Sequence, residues 1–89
     1  MTELEKNEMG FYKGQDLLDI ITGKTRMPFG LALELQTMRT VKNYPFKAIS
    51  DFLMGRPDST DDFGEKLCRK AIERLNAQGK TVDEADWFY

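Results

Sequence analysis

Residues 29–41 read Phe-Gly-Leu-Ala-Leu-Glu-Leu-Gln-Thr-Met-Arg-Thr-Val, and the fold turns on whether they form a strand or a helix. Phe29, Leu31, Leu33 and Leu35 alternate as they would on a strand with one buried face. The same residues also fit a helix, with Leu31, Leu35 and Met38 on one stripe and Leu33 with Val41 on a second. Ala32, Glu34, Gln36 and Arg39 favour the helix, and β-branched residues are scarce until Thr37. A strand here would need a partner, and no other segment alternates convincingly. The stretch is therefore read as a helix apolar on two sides, which belongs at the centre of a bundle.

The flanking sequence punctuates further short helices. Gly23-Lys24, Gly55-Arg56 and Gly79-Lys80 each follow an apolar periodic stretch. Glycine accepts the left-handed conformation that closes a helix, and a nearby cation suits its negative end. Leu17, Leu18 and Ile21 define a helix from about Lys13 to Thr22, with Asp16 and Asp19 on its other side and Phe11 extending its apolar stripe. Pro28 starts the second helix. Asn43, Tyr44 and Pro45 turn the chain into a third, where Phe46, Ile49, Phe52 and Leu53 point inward and Lys47, Ser50 and Asp51 outward. The fourth is capped by Ser59 or Thr60 and carries Phe63, Leu67, Cys68, Ala71, Ile72 and Leu75 on its apolar side. Lys66, Arg69, Lys70 and Glu73 lie opposite. Thr81 with Glu84 forms a capping box for a short terminal helix. The expected fold is all-α, a compact bundle of four to five short helices. Residues 1–8 form a flexible tail and residues 9–89 a single domain, whose core begins near Met9, Phe11 and Tyr12. Asp19–Lys24 resembles Asp51–Arg56, and a Phe-Gly pair follows each, at Phe29-Gly30 and Phe63-Gly64; helix-stop grammar alone produces such a likeness.

Composition excludes several chemistries. The chain has 89 residues, 40% of them hydrophobic, so it can build one small core. It has no histidine, which removes histidine general bases, Ser–His and Cys–His nucleophiles and histidine metal ligands. Cys68 is the single cysteine; it reads as a buried small residue and fits a reducing compartment. No basic-then-apolar leader opens the chain, and no apolar run approaches the roughly 20 residues needed to cross a bilayer. A cytoplasmic protein without membrane contact is expected. Asp58, Asp61, Asp62 and Glu65 are the densest acidic group. Helix capping and solvation explain them, and their spacing is not that of a calcium loop. Gly23-Lys24-Thr25 ends a helix where a phosphate loop would open one. No catalytic, cofactor or metal site is expected, and the chain is read as non-enzymatic.

Charge is organised in blocks. Residues 1–23 sum to -3, 24–47 to +4, 48–65 to -4, 66–80 to +4 and 81–89 to -3. Folded together they neutralise one another or leave faces of opposite sign. In the terminal block Val82, Ala85 and Phe88 or Tyr89 share one side of a helix while Trp87 points away. Trp87, Phe88 and Tyr89 therefore either wrap the chain's own small bundle or, approached by Asp83 and Asp86, are candidate protein-binding residues. Tyr12 and Tyr44 are candidates for its rim. The function this favours is a regulator, inhibitor or assembly factor that binds another protein or associates with itself. The alternative is a small DNA- or RNA-binding regulator using Lys66, Arg69 and Lys70. A helix–turn–helix reading suffers because Asp61, Asp62 and Glu65 would meet the phosphates first.

Overall fold

The 29–41 stretch is helical throughout in the computed structural model, which describes residues 8–55 and 61–88. Helix α2 covers Phe29–Gln36 and runs directly into a π turn at Thr37–Val41. Two threonines account for the widening. Thr37 Oγ1 donates to the Leu33 carbonyl at 3.0 Å and Thr40 Oγ1 to that of Gln36 at 2.6 Å, so hydroxyls compete with backbone amides for the same acceptors. The turn closes with the Lys42 N–H on the Thr37 carbonyl at 3.0 Å.

The first stripe of this helix, Leu31, Leu35 and Met38, is buried. The second is not: Leu33 is outward-facing and Val41 is 75% exposed. The helix therefore lies on one side of the bundle, against the long helix α4 (Asp61–Ala77), instead of at its centre.

Helix α1 spans Gly14–Ile21 and packs on α4 through Leu17 and Ile20; Leu18, expected inward, faces out. Helix α3 spans Phe46–Met54 and buries Ile49 and Leu53. Its inner face is rotated from the one expected. Phe52 is 57% exposed, whereas Ser50 is fully buried, its Oγ donating to the Lys47 carbonyl at 3.0 Å. Helices α3 and α4 also meet closely, at their first turns. A β-carbon on Gly64 would sit 2.1 Å from the Phe46 carbonyl oxygen, so the start of α3 rests directly on α4's backbone. Gly30 has nothing within 4 Å of the corresponding position, so the two Phe-Gly pairs do unlike work.

The helix ends fall where the glycines place them. After α1 the Lys24 N–H reaches the Asp19 carbonyl at 2.8 Å and the Gly23 N–H that of Ile20 at 3.2 Å, the paired bonds of a Schellman stop. Gly55 closes α3 at φ 67°, and its bare Cα lets the Phe11 ring lie against it; a β-carbon there would be 2.7 Å from that ring. The Tyr12 N–H donates to the Leu53 carbonyl at 2.8 Å, which fastens the segment before α1 to the end of α3. Phe11 and Tyr12 are half-buried, whereas Met9 is exposed.

Leu67, Cys68, Ala71, Ile72 and Leu75 of α4 join the core as read, and Phe63 packs at its edge. Among the described residues the elements are these four helices, the π turn and a terminal 3-10 turn at Glu84–Asp86, with no strand. The radius of gyration, 12.1 Å, is that of a folded chain of this length. Residues 1–7 of the expected 1–8 tail, the Ser59 or Thr60 cap, Asp58 and Tyr89 lie outside the described residues.

Candidate functional site

Helix α4 stops at Gly79 with a second Schellman pair, Gly79 N–H to the Asn76 carbonyl at 3.0 Å and Lys80 N–H to that of Leu75 at 3.1 Å. The chain then folds back over the bundle. Asn76 Oδ1 accepts from the Val82 N–H at 2.9 Å, and Asp83 Oδ1 accepts from the Ala85 N–H at 3.0 Å. Asp83, not Thr81, thus caps the terminal element, which is a single 3-10 turn and not a helix opened by a Thr81–Glu84 box. A 3-10 turn places its side chains differently from an α-helix, and this one directs Trp87 inward.

Trp87 is 0% exposed and belongs to the core, so of the two places open to it, its own bundle or a partner, it takes its own bundle. Its indole Nε1 has no hydrogen-bond partner among the described residues. An unpaired buried donor costs about 1–3 kcal/mol.

Two arginines hold the segment in place. Arg39, carried on the π turn, donates through Nε to the Trp87 carbonyl and through Nη1 to that of Tyr44 at 2.9 Å. Its guanidinium carbon lies 4.1 Å from the centre of the Phe46 ring, and Phe46 packs on Phe88 with ring centres 5.3 Å apart. The Arg69 guanidinium carbon in turn lies 4.2 Å from the Phe88 ring centre. Arg69 also pairs with Glu84, and with Glu65 at 3.5 Å. A stack of two aromatic rings with a guanidinium at each end, Arg39–Phe46–Phe88–Arg69, therefore runs from the π turn to α4.

Beside this stack, the end of α1, the outer face of α4 and Glu84 enclose a groove of about 710 Å³. Ile21 and Ile72 give it an apolar floor, and Lys66, Arg69, Lys70, Glu73 and Glu84 stand around it. The three candidate nucleic-acid contacts thus meet in one place, and each is already neutralised. Lys66 pairs with Asp62 at 3.0 Å, Lys70 with Glu73 at 3.4 Å, and Arg69 with its two glutamates. Of the candidate protein-binding residues, Phe88 is half-buried in the stack, and Asp83 and Asp86 are exposed. Sequence reasoning gives neither Arg39 nor Glu84 a part in holding the terminal segment: Arg39 reads as a helix-favouring residue and Glu84 as half of the Thr81 capping box. The only signal for Arg39 was a lone cation amid Met38, Thr40 and Val41.

Nothing in this region provides an activated nucleophile. Cys68 is buried, and burial pushes its thiol up to about 12, the nearby Arg39 only partly opposing this. Among the described residues no group of three or more His, Cys, Asp or Glu is placed to hold a metal ion, and no helix is long and apolar enough to cross a membrane. No protein-family model matches the chain, and no curated protein and no solved structure matches it.

Proposed function

We propose that this chain is a small non-enzymatic regulator or assembly factor that binds another protein in the groove between α1, α4 and the terminal segment. One observation carries the reading: an apolar floor, Ile21 and Ile72, set within a rim bearing both signs of charge. Protein contacts of moderate size have this anatomy, a desolvated centre within a polar border. Leu18, outward-facing one turn before Thr22 at the groove's edge, extends the apolar surface along α1. The unpaired Cys68 is compatible with a reducing compartment, and the reading places the chain in the cytoplasm.

The nucleic-acid reading is weaker because phosphate binding draws on cations free to release counterions, and the groove's three cations each face a carboxylate. The test is affinity capture from host extract with the native chain and with Thr22→Arg, which blocks the groove at an exposed helix end. A partner protein recovered by the native chain and lost by the variant supports the proposal. Equal recovery by both excludes the groove. Recovery of nucleic acid alone, lost as salt rises, reverses the choice.

A further inference from the structure

We propose that segment 80–88 exchanges between two copies of this chain, giving a dimer in which the Trp87 of each copy fills the core of the other. The occupant of the slot is argued from the fold itself, because the slot already accepts this segment within one chain. Trp87 is fully buried in it, Arg39 holds the Trp87 carbonyl, Arg69 holds Glu84 and covers Phe88, and Asn76 holds the Val82 N–H. A second copy presents the same groups.

The manner of attachment favours exchange. The backbone hydrogen bonds described for Asp86, Trp87 and Phe88 run to Asp83, Glu84 and Ala85, within the segment. Apart from the Lys80 N–H on the Leu75 carbonyl at the hinge, the described hydrogen bonds between the segment and the rest of the chain each use a side chain, so it leaves as a unit without opening a ladder, and those contacts re-form in trans. The hinge is as plain. Gly79 is exposed at φ 79° with nothing within 4 Å of its β position, and the chain reverses there on two backbone bonds. If residues 78–81 turn helical instead, α4 continues and carries the segment away from its own body. Exchange of an identical element is a low-cost route to a dimer. The closed monomer holds the advantage at low concentration, because its segment is tethered at a high effective concentration. The inference does not depend on what the groove holds.

Light scattering on the full chain, from micromolar to millimolar concentration, tests it with three variants. Gly79→Ala disfavours the left-handed turn and leaves the straightened helix unaffected, so the dimer fraction rises several-fold. Arg69→Glu and Glu84→Arg each set like charges across the contact. Mixed, they form a heterodimer, because exchange brings each reversed charge opposite its complement. Dimers formed equally by each charge variant alone would show a different interface and overturn the proposal. So would a Gly79→Ala chain that stays monomeric or loses its helical circular dichroism, and so would a mixture with no heterodimer.

Discussion

Arg39 donates to the carbonyl oxygen of Trp87, joining a π turn near the middle of the chain to its terminal segment across 48 positions. The same guanidinium holds the Tyr44 carbonyl and covers Phe46, so three elements meet on one side chain. Lysine offers a point charge without the planar fork and cannot replace it. Arg39→Lys is expected to lower unfolding stability by about 2 kcal/mol, the scale of lost charged hydrogen bonds. Urea denaturation followed at Trp87, the sole tryptophan, checks it.

Gly64 and Gly30, each within a helix, give opposed outcomes. Gly64→Ala puts a methyl group into the Phe46 carbonyl, and backbone cannot step aside as a flexible side chain would, so a loss of about 2 kcal/mol or more is expected. Gly30→Ala meets open space within α2 and is expected to stabilise by about 0.5–1 kcal/mol. Melting curves of the two variants should move in opposite directions.

Burial of an aromatic separates the next pair. Trp87→Ala is expected to cost about 3–5 kcal/mol. Phe52→Ala, at a position 57% exposed, is expected to change stability by no more than about 0.5 kcal/mol. Similar losses for both would mean that Trp87 does not fill the core.

Alkaline pH should destabilise the fold. In the unfolded chain Cys68 ionises around its ordinary 9.0, whereas the buried thiol keeps its proton to about 12. Unfolding therefore releases a proton between those values, and stability present below pH 9 is lost as pH rises through the window. Tyr12 acts in the same direction from its ordinary 10.0, its pKa raised by burial and then by Glu34. Denaturation midpoints measured across this range should fall, and Cys68→Ala should flatten the decline.

The exposed ion pairs of α4 should be nearly silent in stability. Lys66→Glu and Lys70→Glu are each expected to shift it by less than about 1 kcal/mol, because such pairs sit in water. Thermal melts establish this, and any loss of partner binding by these variants then reports on binding alone.

Periodicity and glycine placement made the helices and their ends legible: α4's inward face from Leu67 to Leu75 is the one read, and the stops at Gly23, Gly55 and Gly79 carry the left-handed turns. What periodicity cannot supply is the neighbour. Leu33 and Val41 form a stripe as regular as that of Leu31 and Leu35, but only the latter has α4 against it. The site was harder to read for a related reason. Placing Trp87 required the short 3-10 turn set by Asp83, and an assumed α-helix turns that side chain outward. Arg39 depends on the π turn, which a search at 3.6 residues per turn steps over.

That wide turn has a rotational consequence. A π turn holds one residue more than the helix around it needs, so winding residues 37–41 as a regular α-helix with every residue kept would over-rotate the chain by one residue's step. Everything beyond would then swing by about 100° about the helix axis. Leu31 and Leu35 would stay seated, but Arg39 would lose its bearing on the Tyr44 and Trp87 carbonyls. The extra residue is thus an angular offset, setting the azimuth of one cation against the stripe that anchors its helix.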